Sequence, residues 1–473
     1  MLALLVVGAL VSGSFVGWRA GMLDPWLGLE RAASGALLEP APTAVPDDVG
    51  GLDADPVAVD LDPGAAVPPR PAALRRALTP QLSAPALGQH VLVEVAPLVG
   101  SQPYFTRGTG LATPASTTKL VTATAALLAL GPDHRFTTSV VAEAGRRGVP
   151  RIVLVGGGDP YLMRTPRQPD GSPWPYPVRA DLRSLAIDTA DGLRENGVRR
   201  VSVGYDTSLF SGPAINPDWE PDYVPDAVVS PITSLWVDQG RPPGRSGRVN
   251  DPAADAAASF VDSLRQAGVT VTGTPVETRA SDDAQPVAAI AGATLGAVVE
   301  RILDVSDNEG AEVLLRQVGL ASQGVGSTVA GKRGVRSLLG AAGVRLGATT
   351  FYDGSGLSRR SVASPASLVD VLQLAAAPGR PELRHVLSGL PVAGFTGSLS
   401  VRMADGPPVA LGRVRAKTGT LRGVSSLAGL AVDLEGNVLV FALMADQIDE
   451  DLKFLAQEAL DSAAAELGAC GCS

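Results

Sequence analysis

Residues 2–18, Leu2 to Trp18, are mostly apolar and carry no charge. As a helix they would span roughly 25 Å, a little short of the hydrocarbon core of a bilayer. The run is expected to be a signal peptide or an uncleaved membrane anchor. No basic residue precedes it, and Arg19 follows it. By the positive-inside rule alone Arg19 would put the body in the cytoplasm; the expectation is instead a start further upstream and an uncleaved anchor with the body outside. Residues 19–84 read as a linker rich in Pro, Ala and Asp. Between 39 and 71 there are eight prolines, seven acidic residues and one base, Arg70. Such a stretch buries too little apolar surface to offset its ordering entropy and is expected to be extended.

Regular patterning begins near Pro85. Val91, Val93 and Val95 alternate with other residues up to Pro97, which predicts a strand. Pro114 precedes an apolar helical run from Ala115 to Leu130, and Gly131-Pro132 stops it. Between about 140 and 290 the texture changes. Short strands such as Arg151–Val155 and Val201–Val203 alternate with proline-rich loops at 169–177 and 213–225, and 141–289 reads as an inserted, smaller, β-rich domain. Helical periodicity returns over 295–304, 308–317 and 332–342. Two apolar runs, Val424–Leu434 and Val438–Leu443, flank Glu435-Gly436-Asn437, a hairpin signal. A last helix is expected from about Glu450 to Leu467. Helices flanking an antiparallel sheet, with strands from both ends of the chain, give an α+β body over 85–140 and 290–468.

Composition narrows the function. The net charge of −9 and pI near 5 leave no basic stripe for nucleic acid. Three scattered histidines, His90, His134 and His385, offer no histidine triad or zinc-ligand spacing. The two cysteines, Cys470 and Cys472, are separated by one residue. That spacing disfavours an unstrained bridge, and the body is expected to lack a disulfide.

Lysine usage points to chemistry. Of 39 basic residues only Lys119, Lys332, Lys417 and Lys453 are lysines. An arginine cannot lose its proton in a protein, whereas a lysine can. Lys119 closes Ser116-Thr117-Thr118-Lys119, so the hydroxyl and the amine lie one helical turn apart on one face. A serine needs a base to become a nucleophile. A lysine serves as that base at neutral pH only if it is depressed by about three pKa units. Burial, the helix dipole and a second cation such as Lys417 all push that way. Ser306-Asp307-Asn308 precedes an apolar helix. Alone it is a helix cap; as chemistry, Ser306 relays a proton, Asn308 holds Lys119 and orients a substrate amide, and Asp307 points away. Lys417-Thr418-Gly419-Thr420 reads as the end of an edge strand. There Lys417 and a threonine hydroxyl bind a carboxylate, and Gly419 lets a substrate backbone come close.

Ser-x-x-Lys, Ser-x-Asn and Lys-Thr-Gly, in that order, are the set found in penicillin-binding proteins and class A β-lactamases. The chain resembles the class C low-molecular-mass penicillin-binding proteins, the D-alanyl-D-alanine carboxypeptidase/endopeptidases of peptidase family S13. Further stretches support the resemblance: Val155-Gly156-Gly157-Gly158-Asp159-Pro160, Asp353-Gly354-Ser355-Gly356-Leu357-Ser358-Arg359, Leu390-Pro391-Val392-Ala393-Gly394 and Val414 to Thr420. The resemblance spans about 85–465. It implies a transpeptidase-like domain and a serine enzyme that cleaves peptidoglycan stem peptides and is acylated by penicillins. It implies Ser116 as nucleophile, Lys119 as base, Ser306 and Asn308 as the second motif, and Lys417, Thr418, Gly419 and Thr420 as the substrate-binding strand. The oxyanion hole would be the N–H groups of Ser116 and Thr420. No metal or organic cofactor is implied. The Gly354-Ser355-Gly356 loop is expected beside the cleft, and Gly156–Gly158 as a turn within the insert. The gap from Lys119 to Ser306 is shorter than in relatives with two nested insertions. The rival readings are a β-lactamase, for which no Glu-x-x-x-Asn segment is evident, and a non-catalytic wall-binding scaffold.

Overall fold

The computed structural model describes residues 67–145, 148–168, 170–404 and 406–473. The expected anchor at 1–18 and the linker up to residue 66 lie outside the described residues. The end of the expected linker is not extended. Pro71–Leu82 (α1) is a helix with Pro71 at its start and Leu74, Leu78 and Leu82 buried along one stripe. Those three leucines, at i, i+4 and i+8, supply the apolar face that the proline count of the flanking sequence obscured.

In chain order there follow strands Val91–Pro97 (β1) and Phe105–Arg107 (β2), then helix Thr118–Leu130 (α2). Next come Arg135–Glu143 (β3), Arg151–Val155 (β4), helix Leu182–Glu195 (α3), Arg200–Asp206 (β5), helix Pro252–Gln266 (α4), Thr270–Glu277 (β6) and Gln285–Thr294 (β7). Helices Leu295–Val305 (α5), Asn308–Gln323 (α6), Thr328–Ala341 (α7), Pro365–Ala376 (α8) and Arg384–Ser388 (α9) precede Val414–Leu421 (β8), Val424–Val432 (β9), Val438–Ala445 (β10) and helix Lys453–Ala469 (α10).

The strands form two sheets. The first has the order β2-β1-β10-β9-β8 and is antiparallel throughout, so the first strand of the body pairs with the last. One face buries Val93, Val95, Leu427 and Phe441 against α1 and α10. The other buries Leu92, Ala428, Val440 and Met444 against α2, α5, α6 and α8. Helices therefore cover both faces, while β8 remains an edge strand.

The second sheet, β6-β5-β4-β3-β7, is mixed: β4, β5 and β6 are parallel, and β3 is antiparallel to both neighbours. Parallel strands need crossovers, and α3 and α4 supply them. Asp181 and Asp251 cap these helices by accepting from Ser184 N and Ala254 N. The insert is thus not strands and loops alone. Its sheet also runs from Arg135 to Thr294, wider than 141–289, because β3 continues from α2 and β7 runs straight into α5. Gly156–Gly158 is more than an internal turn: Gln317 of α6 donates to Gly157 O at 2.9 Å and to Gly158 O at 3.3 Å, tying the insert to the body.

The expectation of a body without a disulfide does not hold at Cys470 and Cys472. Both are buried in the α1/α10 core, and their sulfurs are bonded to one another.

Candidate active site

The chain enters the site through a turn that no ordinary helix start contains. Ala115 has φ 47°, in the left-handed region, and Ala115–Thr117 forms a single 3₁₀ turn before α2 begins at Thr118. Three neighbours hold this turn. Ser426 Oγ on β9 donates to Pro114 O at 2.6 Å. A Cβ on Gly419 would stand 2.7 Å from Pro114 O and 3.1 Å from Ser116 N. A Cβ on Gly356 would stand 1.8 Å from Ala115 O. The missing side chain of Gly419 therefore makes room for the Ser116 turn itself.

Lys119 follows in the first turn of α2 and is fully buried. Its Nζ lies 2.8 Å from Ser116 Oγ, 2.8 Å from Asn308 Oδ1 and 2.8 Å from Ser355 O. Two of these partners only accept, while the serine hydroxyl both donates and accepts. An ammonium satisfies all three by donating. A neutral amine also satisfies all three, by donating to Asn308 and Ser355 and accepting the Ser116 proton. Burial pushes the Lys119 amine down to about 8, against the pull of the Asp353, Asp307, Glu312 and Glu309 carboxylates. Desolvation, not a second cation, dominates. The charge effect runs the other way: burial holds Lys417 well below the usual lysine range, and the nearby Lys119 depresses it further.

The Ser-Asp-Asn segment is a two-residue joint between helices. Ser306 caps α5 in the left-handed conformation, and Asp307 caps α6 by accepting from Gly310 N at 3.0 Å. Asp307 faces away from Ser116, accepting instead from Gln239 Nε2 at 2.6 Å. Asn308 is fixed from both ends, with Nδ2 donating to Val228 O at 2.9 Å. Ser306 is half-buried, and no bond joins its hydroxyl to Lys119 among the described residues.

Lys417 lies on the free edge of the first sheet, fully buried, and donates to Thr418 O at 3.0 Å. Thr418 Oγ1 is 3.0 Å from Ser398 Oγ. Ala416 N bonds outward to Pro391 O at 3.0 Å, so alternation turns the backbone groups of Thr418 and Thr420 outward as well. These have no partner strand in the first sheet.

Two buried carboxylates, Glu312 and Asp353, complete the site, and neither was expected as a site residue. Glu312 Oε1 accepts from Gly354 N at 2.9 Å, Ser355 N at 2.8 Å and Ser355 Oγ at 2.6 Å. Asp353 accepts from Gly356 N, Ser358 N and Trp219 Nε1. Burial raises Glu312 to about 7, with Asp353 adding to the rise, and burial raises Asp353 too. Together they clamp the 353–358 loop whose carbonyl meets Lys119. Asp353 opens the quoted Gly-Ser-Gly run, a usable signal. Glu312 had only its i+4 spacing from Asn308.

Comparison with known proteins places the whole chain. A family model described as the D-Ala-D-Ala carboxypeptidase 3 (S13) family matches residues 74–245 and 239–467. The chain belongs to the S13 family. As an S13 chain it is an enzyme of the serine-type D-Ala-D-Ala carboxypeptidase class. It is 33% identical over 437 residues to the carboxypeptidase DacB of Mycolicibacterium smegmatis, covering 91% of each chain. It is 31% identical over 446 residues to a D-alanyl-D-alanine carboxypeptidase of an Actinomadura species, covering 78% of this chain and 80% of that one. Among solved structures, penicillin binding protein 4 of Haemophilus influenzae superposes with a TM-score of 0.67 at 22% identity, covering 85% of this chain and 99% of that one. The α+β, penicillin-binding-protein-like fold expected for an S13 chain is the fold it has.

Proposed function

We propose that the enzyme cleaves the D-Ala-D-Ala bond of peptidoglycan stem peptides through an acyl-enzyme on Ser116. The observation that carries this is the Lys119 amine, buried, depressed to about 8 and 2.8 Å from the Ser116 hydroxyl. Ser116 Oγ–H gives its proton to Lys119 Nζ, and Oγ bonds to the carbonyl carbon of the penultimate D-Ala. The N–H groups of Ser116 and Thr420 receive the oxyanion; one such donor is worth about 10²–10³ in rate. Lys417 and Thr418 hold the terminal carboxylate. The C–N bond breaks as Lys119 returns the proton through Ser306 to the leaving nitrogen, releasing D-Ala. Water then hydrolyses the ester. A cross-link whose leaving nitrogen sits on the D-centre of a diamino acid meets the same atoms, which makes the enzyme an endopeptidase as well.

Penicillins would acylate Ser116 and leave slowly; the Haemophilus influenzae protein has been solved in complex with a β-lactam. Because the substrate lies outside the cytoplasm, the proposed place of action is the cell envelope, with the segment at 1–18 as signal or membrane anchor. Among the described residues no helix is long and apolar enough to cross a membrane.

The test combines an acyl-D-Ala-D-Ala peptide with a fluorescent penicillin. The wild type is expected to release D-Ala and to stay labelled, with labelling abolished in Ser116→Ala and reduced at least 100-fold in Lys119→Arg, which keeps the charge but accepts no proton. Labelled Ser116→Ala protein would remove Ser116 as nucleophile. Brief labelling would indicate a β-lactamase, and neither product a scaffold.

A further inference from the structure

Along β8, side chains two residues apart share a face. Arg415 therefore follows Gly419 and Lys417 on the cleft face, roughly 7 Å beyond Lys417 and on the side away from Ser116. It is exposed, whereas Lys417 is buried. Arg415 lines a cavity of about 400 Å³ together with Tyr176, Glu300, Arg301, Asp304 and Thr396.

Three connections attach this cavity to the site. Arg415 precedes Lys417 by two residues on β8. Asp304 precedes Ser306 by two at the end of α5. Gly397 passes so near Asp304 that a Cβ there would stand 2.2 Å from Asp304 Oδ1, and the next residue, Ser398, meets the Thr418 hydroxyl. The cavity thus opens where Lys417 and Thr418 end. Its volume suits a short stretch of peptide.

The order of groups along β8 sets a direction. In the mechanism above, Thr420 marks the scissile carbonyl, and Lys417 and Thr418 mark the carboxylate on the leaving residue. Whatever else that residue carries lies toward Arg415. A free D-Ala carries only a methyl. A cross-linked residue carries a second peptide.

The charges in the cavity indicate which part of that peptide is bound. Glu300 is already engaged: Oε2 accepts from Tyr176 OH at 3.0 Å, and Oε1 meets Ser388 Oγ at 2.6 Å and His385 Nδ1 at 2.8 Å. Asp304 lies 3.7 Å from Arg301. Arg415 has no carboxylate partner among the described residues. A guanidinium left free in a concave site binds a carboxylate by paired N–H groups.

We propose that this cavity is the subsite for the leaving strand of a peptidoglycan cross-link, and that Arg415 binds a carboxylate on that strand. The inference rests on the proposed DD-peptidase activity and adds a determinant of which substrate the enzyme prefers.

The experiment measures kcat/KM of the full chain on two substrates, a monomeric acyl-D-Ala-D-Ala peptide and a purified D,D-cross-linked muropeptide dimer. Arg415→Ala is expected to lower the value for the dimer at least tenfold relative to that for the monomer. Arg415→Lys is expected to recover part of the loss, and Arg415→Glu to deepen it. Equal loss on both substrates, no loss on either, or a wild type that cleaves monomer but not dimer would overturn the subsite and leave the peptidase reading standing. A wild type inactive on both would instead sink the peptidase reading.

Discussion

Glu312 and Ser355 are joined twice through one oxygen: Glu312 Oε1 accepts both the backbone N–H of Ser355 at 2.8 Å and its hydroxyl at 2.6 Å. The same serine offers its carbonyl to Lys119 at 2.8 Å. Glu312 is therefore one residue removed from the amine that the mechanism uses, and its charge raises the affinity of that amine for a proton. Glu312→Gln keeps an acceptor in place but removes the charge. The acid limb of the acylation rate should move to lower pH, read as penicillin labelling rate against pH. Burial raises the Glu312 pKa from 4.5 to about 7, so the folded state holds its proton more tightly than the unfolded chain. The stability it contributes is complete below pH 4.5 and is lost as pH rises through about 7. The melting temperature of Glu312→Gln should accordingly gain on the wild type across that window. Glu312→Leu orphans three donors at about 1–3 kcal/mol each and should be severely destabilised.

Asn308 tests the neutral-amine argument from the opposite direction. Its Oδ1 accepts from Lys119 at 2.8 Å, and its Nδ2 donates to Val228 O. Asn308→Asp puts a carboxylate against the amine and raises its pKa above about 8. Acylation at pH 7 should fall at least tenfold and recover partly as pH rises toward 10. A profile that falls without shifting would mean that Asn308 acts only as a spacer.

Gly356 has φ 81° and no room for a side chain, since a Cβ would stand 1.8 Å from Ala115 O. Gly356→Ala must move the Ser116 turn or the 353–358 loop. The expected outcome is loss of penicillin labelling together with a melting temperature lower by about 2 °C or more, as for a cost of roughly 2 kcal/mol in a protein of this size. Labelling at the wild-type rate would show that the turn tolerates displacement.

What could be read from the sequence follows the range of the interactions. The Ser116/Lys119 pair was legible because one helical turn fixes its geometry. Lys417 and Thr418 were legible because an edge strand alternates. Glu312 was not, because its partners, Gly354 and Ser355, are about 40 residues away and nothing local distinguishes it from a solvated helix glutamate. α1 was hidden because three leucines spaced by four lay at the end of a proline-rich stretch. α3 and α4 were hidden between loops whose prolines dominated the pattern. The contact of Gly419 with the Ser116 turn was hidden for the same reason: Pro114 and Ser116 are some 300 residues distant in the chain.

The pairing of β1 with β10 has a consequence for how the protein comes into being. A ribosome finishes Ser116, Lys119 and Asn308 long before it reaches the edge strand bearing Lys417 and the central strand on which the first sheet closes. Contacts of such sequence separation form late and slowly. A nascent chain stopped short of residue 438 would hold every acylation residue yet no groove to place them in, so truncated translation products should be blind to penicillin.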